Sequence, residues 1–148
     1  AVLPTSGALA TYGSQSKGSL DAGISLVNKA GGIDGRQVKL TVIDDGGDGA
    51  QAVAKLQAYL SDHSKPDAVF SQYSSEALPL APLTTQAGIF SVTSSITPAL
   101  TDPKKFPYTF QQSIPIRTVI DVSPTTSSTR VTGRSATRPS TTSPDTRP

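Results

Sequence analysis

The stretch AGGIDGRQVKLTVIDDGGD, Ala30 to Asp48, narrows the fold more than any other part of this chain. Gly31 and Gly32 stop a helix, because glycine readily takes the left-handed conformation that closes a helix C-terminus. Asp34-Gly35 forms the middle of a tight turn. Val38 to Asp44 then reads as a strand, with Val38, Leu40 and Val42 on one side and Lys39, Thr41 and Ile43 on the other. The strand ends in acids and glycines, as a strand does where it runs into a loop. Helix, turn, strand and loop in that order make one unit of a layered α/β domain.

The same alternation extends along most of the chain. Ala1 to Pro4 reads as the end of a buried strand, which creates an expectation of sequence upstream of it, and residues 5–13 form a glycine-containing loop. A helix is predicted from about Gly13 to Ala30, with Leu20, Ile24, Val27 and Ala30 on one face at spacings of four and three. Asp48 is placed to cap a helix over about Gly49 to Asp62, with Val53, Leu56 and Leu60 inward. Asp67 to Phe70 is a short strand. Glu76 to Ala87 is a helix with Leu80, Leu83 and Ala87 inward, in which Pro79 fits the first turn and Pro82 should shorten or kink the helix. Gly88 to Val92 and Phe106 to Gln112 are further strands, and RTVIDV, Arg117 to Val122, opens another helix. This order predicts a doubly wound parallel sheet with helices on both faces.

Residues 123–148 are a different material. Ser, Thr, Pro and Arg fill 22 of these 26 positions, with no aromatic residue, Leu or Ile to build a core. One reading is a disordered, Thr/Pro-rich linker. The other is a shifted reading frame: if the serines use TCN codons, reading one base back turns positions 123, 127 and 128 into Val, Leu, Ile or Phe codons. That spacing would continue the apolar face that RTVIDV begins. The tail also explains the charge. Arg130, Arg134, Arg138 and Arg147 face one acid, Asp145, and the remainder carries nine Lys/Arg against ten Asp/Glu. The body is not basic although the calculated pI is near 9.0, so composition gives nucleic-acid binding little support.

Cysteine is absent, which excludes disulfides, thiol chemistry and cysteine-ligated zinc. No apolar run approaches the ~20 residues of a membrane span, and no signal peptide is visible. One histidine and a single glutamate, Glu76, leave few acid–base groups, and no Gly-x-Ser-x-Gly elbow is present. His63 sits beside Asp62 at a helix end, where interaction with the helix C-terminus accounts for it. The loop SGALATYG lacks both the phosphate-loop ending and the three-glycine dinucleotide spacing. Asp44, Asp45 and Asp48 do not have the spacing of a calcium loop; a strand-end turn and helix capping suffice for them. Neither a metal nor another cofactor is implied.

Ligands of doubly wound sheets gather at the carboxyl ends of the strands. Here those ends are TSGALATYG, DDGGD, SQYSSEA and TSSIT. Ser74 and Ser75 precede a helix, where they either cap it or bind a carboxylate with the free amides of its first turn; the two roles are compatible. Ser95 and Thr97 follow a strand and read either as a polar turn or as ligand contacts. Tyr12 ends the first loop and is a further candidate, against the plain reading of an ordinary partly buried tyrosine.

Six pieces carry a family resemblance, in order: LPTSGALATYG (Leu3–Gly13), NKAGGIDGR (Asn28–Arg36), VKLTVIDDGGDGAQAV (Val38–Val53), DAVFSQYSSEALPLAP (Asp67–Pro82), AGIFSVTSSITPALTD (Ala87–Asp102) and FPYTF (Phe106–Phe110). Together they resemble the leucine/isoleucine/valine-binding-protein-like substrate-binding proteins of ABC importers. The resemblance implies one Rossmann-like lobe of a type I periplasmic binding fold, residues 1–122, with the second lobe absent. Two departures stand out: the family often has proline where Gly49 sits, and SVTSSITPALT is one residue shorter than many relatives after Thr97.

The resemblance also implies roles. Ser74 and Ser75 would hold an amino acid's carboxylate, while a backbone carbonyl near Ser95 and the Thr97 hydroxyl would accept its ammonium group. Tyr12 would wall the pocket. The expected function is solute binding rather than catalysis, outside the cytoplasm, with an amino acid-like solute as ligand and a membrane permease as partner. A sensory ectodomain of a receptor is the alternative. A chain with one lobe is expected to bind no tighter than millimolar and to expose apolar surface that favours aggregation.

Overall fold

The computed structural model describes residues 1–113. The expected helix from Arg117 and the tail, residues 123–148, lie outside the described residues. Five strands form one parallel sheet in the order β2-β1-β3-β4-β5: β1 Val2–Leu3, β2 Ile43–Asp44, β3 Ala68–Ser71, β4 Phe90–Thr93 and β5 Thr109–Gln111. Three helices connect them: α1 Ala10–Lys29, α2 Gly49–Asp62 and α3 Ser74–Gln86. The expected doubly wound α/β class holds. From β1 the chain steps to one side in the sheet, and from β2 onward it steps to the other. Right-handed crossovers therefore set α1 on the face opposite α2 and α3.

Local signals behave as the sequence dictates. Asp48 is extended and accepts a hydrogen bond from the Gln51 amide at 2.8 Å, capping α2. Gly31 and Gly32, at φ 105° and 81°, end α1, and Asp34 and Gly35, both at positive φ, turn the chain under an Ile33–Arg36 bridge. The main core lies beneath α2 and α3 and joins Val2, Ala52, Leu56, Val69, Leu80 and Ile89. A smaller cluster of Ala77, Ala81, Leu100 and Phe106 continues it.

Several expectations are corrected. α1 starts at Ala10, after a turn of 3-10 helix over Gly7–Leu9, so Gly13 lies inside it. The reason is close approach: a Cβ on Gly13 would sit 2.1 Å from the Pro4 carbonyl oxygen, so glycine lets the first turns of α1 rest on the end of β1. Of the expected inner stripe, Leu20 and Ile24 are half-buried, whereas Val27 and Ala30 are exposed. The strand expected over Val38–Asp44 is reduced to Ile43–Asp44, because β1 offers only Val2 and Leu3 as partners. Val38 is held instead by the Asn28 side chain, which accepts from its amide at 2.7 Å and donates to its carbonyl at 2.9 Å.

α3 also departs from expectation, running unbroken through both prolines, with Pro79 beyond its first turn. Proline removes the amide that would bond the carbonyl four residues back. For Pro79 that carbonyl is Ser75, and it packs against Gly49, where a Cβ would come within 2.3 Å. Gly49 is thus the small residue that lets the start of α2 meet a proline-containing helix. For Pro82 the carbonyl belongs to Leu78, on the exposed side.

Candidate functional site

The carboxyl ends of β3 and β4 lie side by side, because these strands pair from Ala68↔Phe90 to Ser71↔Thr93. Their following loops therefore meet. The Ser74 and Ser95 hydroxyls are 2.8 Å apart, and the Ser95 hydroxyl also accepts the Thr97 amide at 3.2 Å. The Ser95 amide donates back to the Thr93 hydroxyl at 3.0 Å, and the Thr97 hydroxyl accepts the Ala99 amide at 3.4 Å, capping a 3-10 turn over Pro98–Leu100. The structure thus brings Ser74, Ser95 and Thr97 into one hydroxyl network. Ser95 is buried, and Ser74 and Thr97 are half-buried.

Ser75 is engaged differently. Its hydroxyl donates to Glu76 Oε2 at 2.9 Å, while Glu76 Oε1 accepts the Gln72 and Tyr73 amides at 3.1 and 2.7 Å. The serines therefore do not cap the helix: they are the first two residues of α3, Tyr73 is its N-cap, and buried Glu76 accepts the amides there. The start of α3 points its first amides toward the same edge, where the helix dipole favours an anion.

Tyr12 does not join the serines. It lies on the first turns of α1, 54% exposed, and its influence reaches Tyr73. The Tyr73 phenol is held above its usual range by burial, then by Tyr12 and Glu76. Tyr73, whose hydroxyl accepts from Gln72 Nε2 at 3.2 Å, was not singled out by sequence reasoning. Its one signal is its place in the loop directly after β3.

Gln111 was also missed. From β5 its side-chain Nε2 donates to the carbonyls of both Ser95 and Thr97, each at 2.9 Å. In the sequence it is one of two glutamines closing a strand. Strand alternation puts it opposite Phe110, and that is the only signal it carries.

The neighbouring acids are occupied within the fold. Asp44 Oδ1 accepts the amides of Thr5, Ser6 and Gly46. Its pKa is lowered to about 2, led by the Ser6 side chain and helped by backbone donors and Thr5. Asp45 is buried, with one oxygen accepting the Gly47 amide at 2.8 Å and the other, Oδ2, unpartnered. Burial, with the nearby charges of Glu76 and Asp44, pushes its pKa up against the Gly47 bond. Among the described residues no group of three or more His, Cys, Asp and Glu side chains is arranged to hold a metal ion. His63 stacks on Tyr59 with ring centroids 4.4 Å apart and contacts the Tyr59 carbonyl through Nδ1 at 3.2 Å, in the last turn of α2.

A parallel α/β sheet here gathers serine and threonine hydroxyls at its carboxyl edge beside a helix N-terminus, the edge where sheets of this class take their ligands. The periplasmic binding protein family model matches residues 1–132, and the chain belongs to that family. It is 32% identical over 96 residues to the Leu/Ile/Val-binding protein homolog 3 of Brucella melitensis, covering 65% of this chain and 26% of that one. Against an amino acid binding protein of Pseudomonas aeruginosa it is 35% identical over 102 residues, covering 68% and 26%. The chain thus spans about a quarter of the length of these relatives. In structure it is similar to the branched-chain amino acid transporter substrate-binding protein LivJ of Streptococcus pneumoniae, solved with isoleucine, at a TM-score of 0.68 and 27% identity, over 76% of this chain and 32% of that one. It is similar also to an ABC transporter substrate-binding protein of Desulfitobacterium hafniense solved with Leu, at a TM-score of 0.56 and 29% identity, over 62% and 28%.

Proposed function

We propose that residues 1–122 are the first lobe of an extracytoplasmic substrate-binding protein that captures an amino acid or related small carboxylate for an ABC importer. The observation that carries this reading is the Ser74–Ser95–Thr97 network beside the N-terminus of α3. An amino acid is a zwitterion, and desolvating it requires donors for the carboxylate and acceptors for the ammonium group. Ser74 and the first amides of α3, that of Ser75 among them, are the donors. The Ser95 carbonyl and Thr97 hydroxyl are the acceptors, and Tyr12 stands at the rim with Tyr73. Proteins similar to this chain have been solved with isoleucine and Leu. In such a protein a second lobe closes over the ligand and a membrane permease receives it. The role is binding, and no residue is assigned to catalysis. No helix among the described residues is long and apolar enough to cross a membrane.

The test is a titration of the isotopically labelled chain with L-leucine, followed by NMR. The amides of Ser74, Ser75, Ser95 and Thr97 should shift with an affinity of millimolar or weaker, because one lobe supplies only part of the contacts. Ser74→Ala and Thr97→Val should each weaken binding by about tenfold, the effect of one lost hydrogen bond to a charged group. Micromolar affinity would overturn the half-cleft reading. Shifts centred elsewhere, or none at the solubility limit of leucine, would overturn the site.

A further inference from the structure

We propose that Gln111 is a positioning residue for the ammonium end of the ligand: its carboxamide holds the Ser95 and Thr97 carbonyls together, and so selects ligands with an α-ammonium group over the matching 2-oxo acids. This rests on the amino-acid reading of the site above. Two carbonyl oxygens drawn to one point repel each other unless a donor stands between them. Gln111 Nε2 supplies one N–H to each, at 2.9 Å in both cases. The loop after β4 is thereby curled so that the Ser95 and Thr97 carbonyls converge on one point. A carbonyl oxygen has two lone pairs, so each one clamped by Gln111 retains a site for a further donor. The resulting cluster is rich in acceptors, which suits an ammonium group and repels a carboxylate.

The position of Gln111 supports a dedicated role. It is anchored on β5 through the pairing of Thr93 with Gln111, the last rung of the β4–β5 ladder, and not on the loop it holds. Its own carbonyl oxygen, Oε1, is buried with no hydrogen-bond partner. An unmet buried acceptor is destabilising, and an apolar residue of the same length would avoid it. The two N–H donors are what glutamine adds here.

The experiment uses three variants of the full chain, checked for fold by far-ultraviolet circular dichroism. Gln111→Met keeps the length and removes the donors. Gln111→Glu places an acceptor against two carbonyls. Gln111→Arg restores two N–H donors. Without ligand, the Thr97 and Ala99 amides should exchange with solvent about tenfold faster in Gln111→Met, faster still in Gln111→Glu, and near the wild-type rate in Gln111→Arg. With ligand, Gln111→Met should weaken L-leucine about tenfold more than 4-methyl-2-oxopentanoate, which shares the carboxylate and side chain but lacks the ammonium group. Unchanged exchange in both Gln111→Met and Gln111→Glu overturns the clamp, as does loosening that Gln111→Arg fails to reverse. Equal weakening of the two ligands overturns the selectivity. If wild type shows no leucine-dependent shift, the amino-acid reading and the selectivity fall together, while the exchange rates still decide the clamp.

Discussion

Beneath α2 and α3, Leu56, Val69, Leu80 and Ile89 are all sealed from solvent in one cluster. Across the sheet, α1 buries only Gly13 among its described residues and leaves Leu26 at 69% exposure and Val27 at 39%. A hollow of about 1090 Å³ separates α1 and residues 36–41 from the strands, lined in part by Leu20, Ile24, Ile33, Val38 and Leu40, and it reaches Leu56 and Tyr59 of α2. Farther along that face Phe90 and Phe110 pack on each other, with centroids 4.9 Å apart, yet both remain exposed. Protein interiors are ordinarily packed like crystals, so a hollow of this size forgoes many dispersion contacts. The difference locates the stability. The hydroxyl network hangs on β3, β4, β5 and α3, the well-packed side, and is held without help from α1. The exposed phenylalanines and the hollow are also the apolar surface expected to favour self-association.

The sharpest way to break this contrast is a pair of matched truncations. Leu80→Ala, in the sealed core, should lower stability by about 2–5 kcal/mol. Ile24→Ala, bordering the hollow, should cost well under half of that, because its side chain gives up few contacts. Urea unfolding of the two variants measures both. Equal losses would mean that α1 is packed as firmly as α2 and α3.

α1 does have one tight contact, and the second prediction concerns it. Gly13→Ala pushes a methyl group to 2.1 Å from the Pro4 carbonyl oxygen, and backbone cannot yield there as a side chain tip would. A loss of about 1–3 kcal/mol is expected, with α1 amides exchanging faster and those of α3 unchanged. Loosening of α3 to the same degree would show that the two faces are coupled.

What could be read from the sequence divides along the same physical line. The C-terminus of α1 and the start of α2 were legible because Gly31, Gly32 and Asp48 act on backbone within a few residues of themselves. The serine and threonine loops were legible because the topology rule places strand ends on one edge. Residues 38–42 were not, since a strand needs a neighbour and alternation alone does not supply one. Pro79 misled because the Ser75 carbonyl has Gly49 packed against it from another helix, a contact no local rule contains, and Pro82 because the Leu78 carbonyl it leaves lies on the exposed side. Gln111 was invisible for the same reason: its bonds reach back 14 and 16 residues.

Asp45 has a folded pKa raised above its ordinary value of 3.8, chiefly by burial, with Glu76 and Asp44 nearby. Below that value both folded and unfolded states carry the proton. As pH rises through the folded value a buried carboxyl must ionise, so stability is lost on that rise. Asp44 has the opposite sign. Its folded value is about 2, so its contribution is present above pH 3.8 and is lost as pH falls toward 2. Urea midpoints should therefore decline above pH 4 in wild type. Asp45→Asn should remove that decline and keep the acid limb, and parallel profiles for the two proteins would contradict this assignment.

The smallest effect has the opposite direction and tests the open side directly. Gly18 and Gly23 lie in α1 with nothing within 4 Å of where a Cβ would stand, and neither has positive φ. Glycine in a helix interior is less stable than alanine by about 0.5–1 kcal/mol, from backbone entropy alone. If α1 rests on the sheet only at Gly13, then Gly23→Ala should raise the urea midpoint by the whole of that amount, and Gly18→Ala by the same. The gains should add, because residues on a loosely packed helix share no partners to couple them. A neutral or destabilising Gly23→Ala would mean that another surface closes against this helix in solution, and the contrast between the two faces would then belong to the isolated chain alone.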